Sequence, residues 1–158
     1  GHPGPALSIA DIVTTLYFDV MNVNPADPSW EGRDRFILSK GHACPIYYAA
    51  LAERGYFGGK VEHFNLRALG SMFQGHPVKG KIPGVDMTSG SLGNGISIGS
   101  GMAKAAKYLY KSHFVYVIVG DGEFRKVFAG KVLSLRLPMN SITSLSLLIR
   151  TGGKVGGL

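Results

Sequence analysis

The chain has 158 residues, 45% of them apolar, enough for one respectable core, so one domain or a fragment of one is expected. No apolar run of eighteen residues and no signal-like start occur, and Cys44 is alone, so a spanning helix, a secretory leader, a disulfide framework and a cysteine zinc site are all unsupported. The net charge of +7 does not describe a nucleic-acid binder: residues 1–123 hold 11 Lys and Arg against all 10 Asp and Glu, and the other 6 basic residues fall in an acid-free stretch, 124–158. A cytoplasmic protein with neither a membrane nor a nucleic-acid partner is the expectation. Opening at Gly1 without methionine and directly on a motif, the sequence is expected to lack its beginning.

Gly1-His2-Pro3-Gly4-Pro5 is a turn-rich lead into Ser8, which is expected to cap a helix with Asp11 at its third position. Leu7, Ile12, Val13, Leu16 and Val20 then predict a helix from about Ile9 to Met21. Pro25, Pro28 and Gly32 make the next stretch a loop. Arg35 to Ser39 reads as a short strand ending in Lys40-Gly41-His42, and Ala43 to Arg54 as a helix stopped by Gly55. Residues 56–90 carry glycines too closely spaced for long elements, and a loop-rich segment of that length is more often functional than idle. Gly90-Ser91-Leu92-Gly93-Asn94-Gly95 then opens a predicted helix from about Ser97 to Lys111, with Ile98, Met102, Ala105, Ala106 and Leu109 inward.

The run from His113 to Val119 is almost wholly β-branched or aromatic, as in a strand buried on both faces, and it stops at Gly120-Asp121-Gly122-Glu123. In an open α/β sheet, ligands bind beyond the carboxyl ends of the strands. Glycines beside Asp121 let backbone N–H groups approach a phosphate, and Mg²⁺ suits one or two carboxylates together with phosphate oxygens. The same residues also make an ordinary Asp-Gly turn. The glycine-rich turn at Gly90–Gly95 presents free N–H groups to an anion, or serves tight turning and close helix packing. His2, His42 and His76 each sit beside glycine in a loop, where an imidazole can donate to phosphate or move a proton; His63 and His113 lack that context.

Gly1-His2-Pro3-Gly4, Leu38-Ser39-Lys40-Gly41-His42-Ala43, Gln74-Gly75-His76-Pro77, Pro83-Gly84-Val85, the Gly90–Gly95 turn and Gly120-Asp121-Gly122-Glu123 together resemble transketolase in order and spacing. The likeness is greatest to the separately encoded N-terminal subunit of two-subunit transketolases and runs from Gly1 to Glu123. It implies an α/β, parallel-sheet thiamine-diphosphate-binding fold, truncated, with residues 1–123 a partial domain. It implies thiamine diphosphate and Mg²⁺, for which Ca²⁺ can substitute, and transfer of a two-carbon ketol unit from a ketose phosphate to an aldose phosphate. Carried over, Asp121 is a metal ligand, and Gly120, Gly122 and Glu123 belong to the cofactor-binding set, Gly122 beside the diphosphate. Gly90 and Leu92 contact the cofactor's rings, and the catalytic histidines His2, His42 and His76 line the reaction centre. The family's activating glutamate comes from a separate pyrimidine-binding domain. The resemblance therefore implies a C-terminal subunit or domain as partner, sugar phosphates as substrates, a homodimer or heterotetramer, and no catalysis by this chain alone. A related synthase making deoxyxylulose phosphate shares the Gly-Asp-Gly logic, although Ser39-Lys40-Gly41-His42 favours transketolase. An inactive fragment with residual cofactor binding is the non-enzymatic alternative.

Past Glu123 the likeness stops: the family's Gln-Glu-Gly, Trp-Glu-Ala and late asparagine, the second metal ligand, are missing. Translation of residues 124–158 in the wrong frame is the expectation. Joining the last base of each codon to the first two of the next forces glutamate at Met139-Asn140. It permits Gln-Glu-Gly-Ile-Cys-Trp-Glu at 125–131 and Ile-Asp-Thr-Asn-Gly at 148–152, placing asparagine at 151. The alternative is a genuine divergent tail. Without the proper continuation, the strand ending at Gly120 is expected to lose its neighbour and expose apolar surface and sheet edge.

Overall fold

The structure is a computed structural model that describes residues 2–58, 65–123 and, as backbone, 144–149. Helices α1 (Pro3–Leu7) and α2 (Ala10–Thr15), the latter running into a π turn at Leu16–Val20, precede strand β1 (Arg35–Leu38). A 3-10 turn at Gly41–Ala43 leads into α3 (Cys44–Glu53); α4 (Asn94–Tyr108), β2 (Val115–Gly120) and β3 (Ser144–Ile149) come after it. Strands β1 and β2 are parallel, with Arg35 opposite Val115 and Leu38 opposite Ile118, and β3 lies antiparallel on the other side of β2. This is the truncated α/β domain that the resemblance implies.

Strand side chains alternate between faces, and here both faces are covered. Phe36, Leu38, Tyr116 and Ile118 join Val13, Tyr17, Tyr47 and Leu51 in the larger core, whereas Ile37, Val115 and Val117 pack with Met87 and Ala103. All six residues of β2 are buried. That accounts for its continuous apolar composition, since neither face meets water. Aromatic contacts hold the larger core: Tyr17 meets Phe36 edge-on at a centroid distance of 5.3 Å, and Phe36 meets Tyr47 in a tilted arrangement at 4.8 Å.

The described part of the stretch from 56 to 90 contains no helix or strand, yet it is fastened to the sheet. Asp86 takes two hydrogen bonds from Arg33, at 2.6 and 3.0 Å, and one from the Phe36 N–H at 2.8 Å. The hydroxyls of Tyr47 and Tyr48 donate to the carbonyls of Gly84 and Gln74. Buried backbone and charge are thereby satisfied without regular structure.

Four expectations are corrected. The helix expected from about Ile9 to Met21 is present as α2 and its π turn, but the stretch read as a turn-rich lead forms a helix of its own, α1, because a proline in the first turn presets the backbone and its missing N–H is not needed there. Ser8 closes α1 instead of capping α2: its hydroxyl donates to the Pro5 carbonyl at 2.9 Å. In α4 the buried stripe is Gly95, Ile96, Gly99, Ala103 and Ala106, whereas Ile98, Ala105 and Leu109 are exposed and Met102 is half-buried. Small residues win that face because the helix lies against β1's end: a Cβ on Gly95 would stand 2.4 Å from the Ser39 Cβ. Lastly, β2 does not lack a second neighbour, since β3 pairs with it from Val115 to Gly120.

A matched pair of substitutions tests the close helix approach. Gly95→Ala should destabilise the fold by about 1–3 kcal/mol through overpacking. Gly101→Ala, on the same helix with nothing within 4 Å, should stabilise it by about 0.5–1 kcal/mol. Urea denaturation followed by circular dichroism reads both.

Candidate active site

The parallel pairing of β1 and β2 brings their carboxyl ends to one level, where the Ser39 N–H donates to the Ile118 carbonyl at 2.9 Å. The turns that leave the two strands therefore meet at the sheet's end: Lys40-Gly41-His42 after β1, and Asp121-Gly122-Glu123, which starts a helical turn, after β2. A cleft of about 350 Å³ opens there, lined by Lys40, His42, Leu92 and Gly120 to Glu123, with Gly4, Pro5 and Ser8 opposite.

Glu123 builds this corner. It is 1% exposed, and its carboxylate accepts from the Ser39 hydroxyl (2.8 Å), the Gly93 N–H (2.9 Å) and the Gly120 N–H (2.7 Å). One side chain thus ties the end of β1, the start of α4 and the end of β2. Gly93 holds the left-handed backbone at φ 94° that turns its N–H toward Glu123, a conformation that glycine adopts without a Cβ penalty. Asp121 and Gly122, by contrast, are exposed.

The histidines converge from three segments. His2 and His42 meet edge-to-face at 5.3 Å between centroids. His76 borders Gly41 and Gly90: a Cβ on either glycine would lie 3.1 or 3.7 Å from its Cδ2. Burial pushes the His42 imidazole below its ordinary value, and the charges of His2 and Lys40 push it further, against the opposing pull of Glu123. His63 lies outside the described residues, as do residues 124–143 and 150–158 of the expected out-of-frame tail.

Of the residues expected from sequence, Leu92, Gly120, Asp121, Gly122, Glu123 and His42 line the cleft, and His2, His76 and Gly90 flank it. Sequence reasoning missed Lys40 as a site residue, although it lies within the Ser39-Lys40-Gly41-His42 motif; it is 3% exposed and lines the cleft. It missed Ser89 too, whose hydroxyl oxygen is buried without a hydrogen-bond partner among the described residues and lies beside Gly41. Among the described residues, no group of three His, Cys, Asp or Glu side chains is placed to hold a metal ion. No helix of the described residues is long and apolar enough to cross a membrane.

A cleft at the carboxyl end of parallel strands, faced by a Gly-Asp-Gly turn, a glycine-opened helix and three histidines, is the ligand-binding end of an α/β domain. The chain belongs to the transketolase family: residues 1–142 match the family model described as transketolase, thiamine diphosphate binding domain, a match that runs past Glu123. It is 44% identical over 124 residues to the 6-deoxy-6-sulfo-D-fructose transketolase subunit of Clostridium sp. (strain MSTE9), covering 78% of this chain and 44% of that protein. It is 42% identical over 123 residues to one subunit of the apulose-4-phosphate transketolase of Phocaeicola vulgatus, covering 78% and 43%. The transketolase structure from Campylobacter jejuni superposes with a TM-score of 0.73 at 36% identity, and that from Leishmania mexicana with 0.72 at 35%. These two cover 79% of this chain and 21% and 20% of theirs. The chain thus spans less than half the length of the subunit relatives and about a fifth of the single-chain structures.

Two measurements test this geometry. Glu123→Gln keeps an acceptor oxygen for Ser39 and Gly93 but turns an amide NH₂ toward the Gly120 N–H, and should cost about 2 kcal/mol in chemical denaturation. In an NMR titration His42 should show a midpoint below the ordinary value of about 6.5, and His2→Ala should move it part of the way back. The sign comes from linkage. The folded state disfavours the His42 proton, so this group's contribution to stability is full above about pH 6.5 and shrinks as pH falls toward the lowered folded value.

Proposed function

We propose that the chain is the diphosphate-binding part of a transketolase that transfers a two-carbon ketol unit between sugar phosphates, using thiamine diphosphate and Mg²⁺. The observation that carries this is the cleft's own shape. Gly4 and Gly122 line it, and a Cβ on either would meet nothing within 4 Å, so these glycines leave space that the protein's packing does not fill. A buried lysine and the orphaned Ser89 hydroxyl nearby add polar groups suited to an anionic, hydroxyl-bearing ligand.

In this reading Gly120 and Gly122 let backbone approach the diphosphate, and Asp121 holds the metal. A single carboxylate suffices there, because Mg²⁺ completes its shell with phosphate oxygens and water. Gly90 and Leu92 face the cofactor's rings, and Glu123 sets the turn rigidly through Ser39, Gly93 and Gly120. Thiamine diphosphate, when bound, supplies the nucleophilic carbon that makes a ketose carbon–carbon bond breakable. The chain's own part is to orient and move protons: the neutral ring of His42 can accept a proton from a sugar hydroxyl at a ring nitrogen, with His2 and His76 as hydrogen-bonding neighbours. A C-terminal subunit or domain supplies the remainder of the site, within a homodimer or heterotetramer in the cytoplasm. Residues 1–123 form the partial domain, and 124–158 are its out-of-frame continuation.

Thiamine diphosphate with Mg²⁺ should raise the melting temperature of the chain, and EDTA or Asp121→Asn should abolish the rise. Gly122→Leu should leave the unliganded melt within about 0.5 kcal/mol while removing the cofactor's effect. A cofactor effect that survives in both variants would overturn the assignment. Sequencing the coding DNA through codons 117–158 tests the tail; a neighbouring frame lacking Gln-Glu-Gly and the late asparagine would show it to be genuine.

A further inference from the structure

A second cavity, of about 310 Å³, lies at the other end of the sheet and shares no lining residue with the cleft. Arg35, which begins β1, and His113, two residues before β2, line it, so it opens at the amino ends of the strands whose carboxyl ends carry the cleft. Met102, Ala105, Ala106 and Leu109 of α4 make its apolar wall. The helical period of the sequence turns these four inward, yet in the structure Ala105 and Leu109 remain exposed, Leu109 by 59%. An apolar wall that folding leaves in water favours a ligand that covers it.

The charges around this wall are unevenly matched. Asp86 is committed to the protein, since it accepts two hydrogen bonds from Arg33 and one from the Phe36 N–H. Glu31 is paired with Lys111 at 2.7 Å. Arg35 and Lys79 remain. The Arg35 guanidinium donates to the backbone carbonyls of Arg33 and Glu31, and its Nε stands 4.0 Å from Asp86, beyond hydrogen-bond distance. Burial, and then the charge of Arg33, hold this guanidinium below its ordinary value, against the pull of Asp86, Asp34 and Glu31. Lys79 is exposed and makes no ion pair among the described residues. Two cations without a close carboxylate, set beside an apolar wall, suit a ligand that brings both an apolar body and an anionic group, and a guanidinium matches phosphate and carboxylate alike. We propose that this cavity is a second binding site, for a small amphipathic anion: an apolar or single-ring body that covers the α4 wall, with one phosphate or carboxylate group held by Arg35 and Lys79. Its volume lies at the small end of the range for ligand sites, about 300–1,000 Å³, which limits the body to that size.

The test is a titration of the full chain with phenyl phosphate, followed in ¹H–¹⁵N NMR spectra. The amides of Ala105, Leu109 and Lys111 should move, and those of Gly120 and Gly122 should stay. Inorganic phosphate, which has the charge without the body, and phenol, which has the body without the charge, should each bind about tenfold more weakly or worse. Lys79→Ala should weaken phenyl phosphate by about three- to tenfold, and Leu109→Ser by about threefold while leaving inorganic phosphate unchanged. Both side chains are exposed, so neither substitution should disturb the fold. Thiamine diphosphate with Mg²⁺ in excess should not displace phenyl phosphate. Displacement, or shifts confined to Gly120 and Gly122, would place the anion in the cleft and overturn the proposal. So would phenol or inorganic phosphate binding as tightly as phenyl phosphate, since one half of the recognition would then be missing. The absence of any shift along α4 also overturns it, and would leave this wall to a partner chain.

Discussion

The buried carboxylate of Glu123 is the constraint on which the rest depends. It joins Ser39, Gly93 and Gly120, residues that end one strand, open a helix and end a second strand. A buried carboxylate is tolerated only where donors surround it, and here the three donors are Gly120, which lines the cleft, and the chain neighbours of Lys40 and Leu92, which line it too. The network that satisfies Glu123 therefore also fastens together the chain segments from which Lys40, Leu92 and Gly120 line the cleft. Gly95 reinforces it, since α4 reaches the end of β1 closely enough that no side chain fits between them.

A second, independent clamp holds the irregular half of the site. Asp86 is bound by Arg33 and by the Phe36 N–H, so the loop that carries it is registered against β1 itself. Phe36 shares β1 with Leu38, and Lys40 and His42 come directly after, so loop and reactive turn take their positions from the same strand. His76 and Ser89, which lie in that fastened loop, are thereby carried to Gly41. A segment without helix or strand can present side chains this consistently only because its backbone and its charge are both hydrogen-bonded to regular structure.

The electrostatics of the cleft are set by two basic groups, Lys40 and His42, that line it together with Asp121 and Glu123. Lys40 sits without an ion pair among the described residues, and His42 is held toward neutrality by burial and by its cationic neighbours. The two effects are connected, because the charge of Lys40 is one of the causes that depress His42.

Strand β2 and its Gly-Asp-Gly ending were legible in the residues themselves. A run of β-branched and aromatic side chains with no polar alternation has nowhere to go but between two packed layers. The short strand at Arg35, the helix after Ala43 and the histidines beside glycines were legible for the same kind of reason, since each signal lies within a few consecutive residues. The face that α4 buries was not. Its largest apolar residues suggested Ile98 and Leu109, and only contact with Ser39, more than fifty residues earlier in the chain, makes Gly95 and Gly99 the inner stripe. Nor could the sequence show that Ser8 turns to Lys40, that β3 pairs along β2, or that Glu123 is a hub. Sequence by itself determined the local elements and the chemistry each could bring, because periodicity and turn residues act over short spans. Tertiary structure alone decided which of those groups meet and which charges stay unpaired, because burial and hydrogen bonding are settled between segments distant in the chain.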